Sequence, residues 1–297
     1  MLPLLITGFL LFQQGGGAAL AARIQQLLHI VLTSHDEKQE AAAKAEAKEI
    51  FTRQGLPGVA AVGDEAAYEF VVLTCSLELE EFQSQVLEKA REEAKKHEIP
   101  ADAATYCAAH VRQEMIKTEA KKHPPANPAL RDQIERIFQA DQAVREKNGF
   151  DMEKMKQADR KHAAALEGIF AKYGVPTYRM VGPEAAADFV VMAQHQSSEF
   201  RARVLPKLKA NVDTGQADPG SYAMVFDRLQ TDAGKKQMYG ENLTCDNEHP
   251  ELHAGPIEDE DHVNQRRAAI GLMRLGPYVQ LAVAMSPNFC AAASGVK

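Results

Sequence analysis

The second half of this 297-residue sequence contains polar residues of the types that form reactive or ligand-binding sites. His195 can accept or donate a proton near neutral pH, and Asp227 can orient an imidazole ring or hold a cation. Other residues can bind a ligand through charge or hydrogen bonds: Gln194, Arg228, Gln237, Tyr239 and Arg267. We therefore treat His195 and Asp227 as a candidate catalytic acid–base pair and the other five as candidate ligand-binding residues.

Two classes of function fit such a polar site. The favoured one is a binding or interaction module, whose partner is an unknown small molecule or protein. The alternative is a hydrolase-type enzyme that uses His195 and Asp227 as its acid–base pair. Serine and cysteine do not occur in a nucleophile motif such as Gly-x-Ser-x-Gly, so the sequence does not support covalent catalysis.

Metal-binding motifs give weaker signals. His249 and His253 have the spacing of two ligands on one helix, but Pro250 between them is incompatible with a helix interior. The acidic loop lacks the Asp-x-Asp-x-Asp-Gly pattern of a calcium loop. The sequence therefore predicts neither a metal site nor a cofactor.

One predicted helix has polar residues on its apolar side. Asp159 and His162 fall at helical spacing among Met155, Leu166 and Ile169. Polar groups placed in such a seam need partners. The favoured interpretation is that they bridge neighbouring helices inside the core, and the alternative is a functional role.

An internal repeat predicts how these residues are positioned. Residues 50–72 match residues 169–191 at 12 of 23 positions with a constant shift of 119, and the matches include paired glycines and prolines. Helical periodicity dominates and strands are expected to be minor. We predict an all-α protein of two tandem, duplicated helical domains, the second with a long acidic loop (241–261) and an extra C-terminal helix.

The repeat also bears on the site. The first copy keeps the residues that make the fold but has no counterpart to His195 or Asp227. Residues needed for function rather than folding should then lie together in the second domain. We expect the following residues to converge: His195, Asp227, Gln237, Tyr239 and Arg267.

Breaks in the sequence predict the domain boundaries. Three prolines between 124 and 128 mark a linker because proline is excluded from helix interiors. The predicted parts are a signal peptide (1–21), a degenerate first repeat (23–123), the linker (124–128), a second helical domain (129–282) and a tail (283–297).

The N-terminus bears on the compartment. Leu2–Phe12 is an apolar run of signal-peptide length, followed by small residues at 19–21, although no basic residue precedes it. A buried N-terminal helix is the alternative. Export predicts a periplasmic or secreted protein without a stable membrane span after signal removal. The net charge of −7 argues against a nucleic-acid partner.

Four cysteines in an oxidising compartment suggest disulfide bonds. Cys75 and Cys107 lie on predicted helices of the first copy, so a bridge between them is expected. Cys245 and Cys290 would then tie the acidic loop to the C-terminal tail.

The region from Asp141 to Tyr278 resembles an uncharacterised bacterial domain family of unknown function. The resemblance rests on these residues: Asp141-Gln142 with Arg145, Gly174-x-Pro176, Gln194-His195, Asp227-Arg228, Gly234, Gln237-x-Tyr239-Gly240, Pro256-Ile257, and Arg267 with Gly271-Leu272. Gln196 replaces the acidic residue that the family more often has after Gln-His. The resemblance implies no activity.

Overall fold

The computed structural model describes residues 4–77, 80–148, 152–246, 251–285 and 290, which form an all-α protein as predicted. The helices are α1 (Leu4–Thr33), α2 (Glu37–Gln54), α3 (Val59–Val62), α4 (Asp64–Cys75), α5 (Glu80–Lys95), α6 (Ala101–Lys121), α7 (Pro128–Asn148), α8 (Met152–Tyr173), α9 (Tyr178–Val181), α10 (Pro183–Gln194), α11 (Ser198–Asp213), α12 (Pro219–Asp232), α13 (Val263–Ala269) and α14 (Leu275–Met285). The strands are β1 (Leu243–Thr244) and β2 (His253–Ala254), which pair antiparallel.

Capping residues explain where several helices begin and end. Asp36 accepts hydrogen bonds from the backbone N–H groups of Lys38 and Gln39 at the start of α2. Asp218 caps α12 in the same way, and Pro219 occupies the first turn, where no backbone donor is needed. Short polar residues before apolar periodic segments therefore mark these boundaries in the sequence.

The chain divides into two compact units. The first comprises residues 1–112 and 267–285, and the second comprises residues 113–266 and 286–297. This division differs from the predicted linker at 124–128. The boundary falls inside the continuous helix α6, while the backbone N–H groups of Ala126 and Asn127 bond to carbonyls of α9, so the proline segment is part of the second unit.

In the first unit, α1 packs against α2, α3, α4 and α14. The core is apolar and includes Ile24 and Leu27 of α1 with Phe70 and Val71 of α4, all fully buried. Burial of such side chains supplies about 1.5–3 kcal/mol each. Residues 267–282, which we predicted to belong to the second domain, pack here instead, together with residues 283–285 of the predicted tail.

In the second unit, α10 is the central helix. It contacts α7, α8, α9, α11 and α12, and its apolar residues Phe189 and Met192 are buried. Ile134 of α7 and Leu166 of α8 are fully buried in the same core. The packing of α7 and α8 against α10 brings together side chains that are far apart in the sequence.

The two units contain helices of similar order and length. α3 and α9 each have 4 residues, α4 and α10 each have 12, and α5 and α11 each have 16. Gly55 and Gly174 have φ values of 74° and 72°, and Gly63 and Gly182 both have 86°. These left-handed conformations favour glycine, which explains why the repeat retains it. A common origin by duplication stays a prediction.

Both expected disulfide bonds are present. Cys75 is bonded to Cys107 within the first unit, with a Cα–Cα distance of 5.7 Å. Cys245 is bonded to Cys290 within the second unit, with a Cα–Cα distance of 5.6 Å. The rest of the predicted tail, 286–289 and 291–297, lies outside the described residues.

The N-terminal helix α1 continues through the predicted signal cleavage region near Ala21. Ile24, Leu27 and Leu28 are buried in the core of the first unit. All three follow the predicted cleavage position, so cleavage there would leave them in the mature chain. Within the described part of the chain, no helix combines the length and apolarity required to cross a membrane.

Candidate functional site

His195 lies directly after α10, in contact with residues of two other helices. Its backbone N–H bonds to the carbonyl of Met192, and its side chain is 26% exposed. The imidazole faces Asp141 and Arg145 of α7, while Asp159 of α8 contacts the same arginine. A histidine at the end of a central helix is thus held against carboxylates while remaining partly open to solvent.

Arg145 connects the members of this cluster. Its guanidinium donates to both carboxylate oxygens of Asp141, at 2.9 and 3.1 Å. Its Nη2 also donates to Oδ1 of Asp159 at 2.6 Å and lies 2.7 Å from Nδ1 of His195. One cation therefore bridges two carboxylates and one imidazole.

This contact fixes the tautomer of His195. A guanidinium has N–H donors and no acceptor, so Nδ1 of His195 must accept the hydrogen bond. The ring proton of the neutral imidazole then resides on Nε2. His195 thus presents a donor at Nε2 and a lone pair toward Arg145 at Nδ1.

Asp141 is ionised in this environment. It is 2% exposed, and burial by itself would raise its pKa. The two hydrogen bonds and the positive charge of Arg145 outweigh burial and hold the pKa of Asp141 well below its usual range. Gln142 also donates to Oδ2 of Asp141 at 3.1 Å.

His162 completes the cluster from α8. It is 8% exposed, and its Nδ1 is buried without a hydrogen-bond partner. That nitrogen is 3.6 Å from Oδ1 of Asp141, which exceeds hydrogen-bonding distance. An unsatisfied buried polar atom costs about 1–3 kcal/mol, so its position beside a carboxylate calls for an explanation.

The sequence repeat aligns this histidine with an alanine of the first unit. With the shift of 119 residues, His162 and Leu166 correspond to Ala43 and Ala47, and all four positions are buried. A small apolar residue therefore fills the aligned position of α2. Asp159 and His162, which we expected to bridge neighbouring helices, do so: they face Arg145 and Asp141 of α7.

The donor atoms of three cluster residues are close enough to share one ion. One ligand atom each from Asp141, Asp159 and His195 lies within 4.8 Å of the other two. Among the residues that the structure describes, this is the one such group of histidine, cysteine, aspartate and glutamate. The predicted pair of His249 and His253 is not testable here, because His249 lies outside the described residues.

Asp227 has a different environment. It is fully buried on α12, and its carboxylate accepts hydrogen bonds from the backbone N–H groups of Met238, Tyr239 and Glu241, at 2.8 to 3.2 Å. Burial raises the pKa of Asp227, and these hydrogen bonds oppose the rise. The carboxylate therefore anchors the turn that follows α12.

Gln237 and Arg228 stabilise the same turn. Gln237 accepts a hydrogen bond from the backbone N–H of Asn242 at 2.7 Å and donates to its carbonyl at 3.0 Å. Arg228 donates to the side-chain oxygen of Asn242 at 3.1 Å. Both residues thus help to position the loop.

The structure also describes the surroundings of the other three predicted ligand-binding residues. Tyr239 packs its ring against Phe226, with 6.4 Å between centroids. Gln194 has a buried Oε1 without a hydrogen-bond partner. Arg267 belongs to the first unit, where it donates to the carbonyl of Met273 at 2.6 Å and lies over the ring of Tyr278.

The structure thus pairs His195 with Asp141, whereas the sequence analysis paired it with Asp227. The sequence analysis named Asp141 and Arg145 only as part of the family resemblance. The sequence does contain a signal for a polar site at Asp141, because this residue continues the apolar stripe of Ile134, Ile137 and Phe138 at helical spacing. A charged residue on that stripe indicates a buried polar site.

Comparison with known proteins bears on the same region. The model of a family described as a family of unknown function, DUF6624, matches residues 116–286, more than half of the chain. The chain belongs to this family. The DUF6624 region contains the whole His195 cluster, which consists of Asp141, Arg145, Asp159, His162 and His195. The match confirms the resemblance expected for Asp141–Tyr278. No curated protein and no solved structure matches the chain.

Proposed function

We propose that this DUF6624 protein is an exported helical protein whose second unit binds one divalent transition-metal ion. The ligands are Asp141, Asp159 and His195, and His162 supports Asp141. The proposal rests on the convergence of three donor atoms within 4.8 Å, with a buried, unsatisfied imidazole nitrogen beside them.

The distance between His195 and Asp141 is that of co-ligands. Two atoms bound to one zinc ion at about 2.1 Å in tetrahedral geometry lie about 3.4 Å apart. Nδ1 of His195 lies 3.6 Å from Oδ2 of Asp141, longer than a hydrogen bond and close to that value. Imidazole and carboxylate ligands suit zinc, manganese and iron better than a soft ion such as Cu(I).

Arg145 defines where the ion would bind. Its Nη2 contacts Oδ1 of Asp159 and Nδ1 of His195, the atoms that a metal ion would use. Metal ion and guanidinium therefore compete for the same lone pairs. Binding requires the Arg145 side chain to turn away while it stays near Asp141.

The test is calorimetric titration of the full-length, disulfide-bonded protein with Zn²⁺ and, separately, Mn²⁺ after treatment with EDTA. We expect one ion per chain for wild type and loss of that site in His195→Ala and Asp159→Asn. His262→Ala is the matched control, because His262 is 58% exposed and pairs with Asp259 on the surface. Equal metal binding by all four proteins would contradict the assignment.

A second candidate is acid–base catalysis by His195 without a metal. It is favoured by the Nε2–H tautomer and by the partial exposure of a ring oriented by Asp141 and Arg145. This version of the hydrolase hypothesis replaces Asp227 with Asp141. It predicts hydrolysis of ester or phosphoester substrates that persists in EDTA and is lost in His195→Ala, so turnover that requires added metal would exclude it.

Export is part of the proposal. It is supported by the apolar N-terminal run, which is typical of a signal peptide, and by two disulfide bonds, which persist in oxidising compartments. N-terminal sequencing of protein secreted to the periplasm tests it: cleavage near Ala21 is expected, and an intact Met1 would contradict it.

We also infer that the two units arose by duplication and that the site belongs to the second alone. The matched helix lengths and glycine conformations support this inference. Superposing residues 50–72 on residues 169–191 in a crystal structure provides a test: a different arrangement of helix, turn and helix in the two segments would contradict the duplication.

A further inference from the structure

A second polar site lies in the first unit, independent of the His195 cluster. Glu69 is on α4 between Tyr68 and Phe70, and it is 3% exposed. Its Oε2 is buried without a hydrogen-bond partner. A carboxylate oxygen in that position is costly unless a donor reaches it.

A cleft of about 370 Å³ opens onto this carboxyl group. It is lined by α1, α4 and α14, and its volume is at the small end of the range of ligand sites. Leu28, Leu32 and Leu281 form apolar walls. Glu65 lies one helical turn before Glu69 and lines the same cleft.

The charge of the lining selects the ligand. Among the described residues, two glutamates line the cleft, and neither lysine nor arginine does. The nearby guanidinium of Arg274 is already engaged by both oxygens of Asp102 and by Asp64. The cleft is therefore suited to a cation with hydrogen-bond donors.

A metal ion is the less suitable cation. In the described part of the chain, Glu65, Glu69 and His29 are not among three donors that lie within 4.8 Å of one another. The leucine side chains that form the walls of the cleft have no polar atoms to bind a hydrated ion. They do offer contact to an alkyl chain, whose burial contributes about 0.8 kcal/mol per methylene group.

We propose that this cleft binds the ammonium group of a small primary aliphatic amine. The ammonium donates to the carboxyl groups of Glu69 and Glu65, and the alkyl chain lies along Leu28, Leu32 and Leu281. Gln25 and Gln280 at the cleft supply further polar contacts. This cleft shares no residue with the proposed metal site, so the amine proposal does not depend on the metal proposal.

The experiment uses the full chain and butylammonium, with butanol as the neutral ligand of similar size. Titration calorimetry should detect butylammonium binding to wild type and at least a tenfold weaker interaction with Glu69→Gln. Asp188→Asn is the matched control, because Asp188 occupies the corresponding position of α10 after the shift of 119 residues and does not line the cleft. It should bind butylammonium like wild type.

Three results would overturn the proposal. They are absence of butylammonium binding to wild type, equal binding of butanol, and unchanged affinity in Glu69→Gln. Circular dichroism of each variant shows that it is folded before titration. A Glu65→Gln variant gives a second measurement, since loss of the neighbouring carboxylate should weaken binding of butylammonium without affecting that of butanol.

Discussion

At the scale of single residues, the two histidines of the cluster have different roles. His195 is partly exposed and takes part in the three-ligand group, whereas His162 is buried beside Asp141 and is not a member of that group. Residues that support a ligand affect metal affinity less than the ligand itself. We therefore expect His162→Ala to weaken metal binding about tenfold to a hundredfold.

The same variant should fold normally. Alanine occupies the corresponding buried position, Ala43, in the first unit. Removal of the unsatisfied Nδ1 also relieves a cost of burial. Thermal unfolding measured beside the zinc titration checks this, and a large loss of stability with unchanged affinity would place His162 in the structural core alone.

Arg145 provides a residue-scale test of competition between cations. Arg145→Ala leaves the buried carboxylate of Asp141 without its main partner, at a cost of about 3 kcal/mol. Zinc should bind at least as tightly as in wild type and restore the melting temperature. Arg160→Ala is the control, since Arg160 forms a 66% exposed pair with Glu153. Destabilisation without rescue by zinc would mean that Arg145 is purely structural.

Glu69 predicts how stability depends on pH. Burial, helped by Glu65, raises the pKa of Glu69 to about 7. Gln25 and Arg274 oppose this shift, and His29 faces the same cleft. The folded protein therefore binds a proton at pH values where the unfolded chain has lost it.

The sign follows from proton linkage. Between about pH 4.5 and 7 the folded state holds more protons at Glu69, so the free energy of unfolding falls as pH rises and levels off above 7. The full effect is roughly 3 kcal/mol. Glu69→Gln should remove this dependence and raise the melting temperature above pH 7. Chemical denaturation at a series of pH values measures it, and parallel curves for both proteins would contradict the shift.

At the scale of elements, Asp227 joins α12 to the turn at residues 237–242. Asp227→Ala would leave at least three backbone N–H groups without their acceptor, so we expect a loss of about 3 kcal/mol or more. Amide exchange at Met238, Tyr239 and Glu241 should accelerate. Zinc binding at His195 should persist, and its loss would link the two networks.

The helices themselves could be predicted well from the sequence. Asp36, Gly55 and Asp218 mark helix ends by chemistry that acts within one turn. The pairing of His195 with Asp141 could not be predicted, because it joins residues 54 positions apart, one on α7 and the other directly after α10. It depends on how α7 packs against α10, which periodicity does not specify.

At the scale of the whole molecule, the division into two units also could not be predicted from local sequence patterns. A proline-rich segment is a strong local signal for a linker, yet Ala126 and Asn127 bond to α9. The segment 267–285 follows the second unit in sequence and belongs to the first in space. Such a return depends on contacts between distant parts of the chain, among them the bonds from Arg274 to Asp102.

The disulfide bonds give a prediction for the whole molecule that connects folding with compartment. Cys245 and Cys290 are 45 residues apart, and the bridge closes that length of chain. Constraint of the unfolded chain over such a loop stabilises the folded state by roughly 4 kcal/mol. We therefore expect the Cys245→Ser, Cys290→Ser double variant to unfold at markedly lower denaturant concentration than wild type.

Cys75→Ala with Cys107→Ala opens the other bridge, which closes 32 residues inside the core of the first unit, and we expect a loss of similar size. Because the two bridges lie in different units, the two losses should be additive when the variants are combined. Chemical denaturation of wild type and of each double variant, with and without a thiol reductant, measures the contribution of each bridge to stability. If wild type were equally stable with and without the reductant, the bridges would not contribute to folding and the case for an oxidising compartment would lose its support from the cysteines.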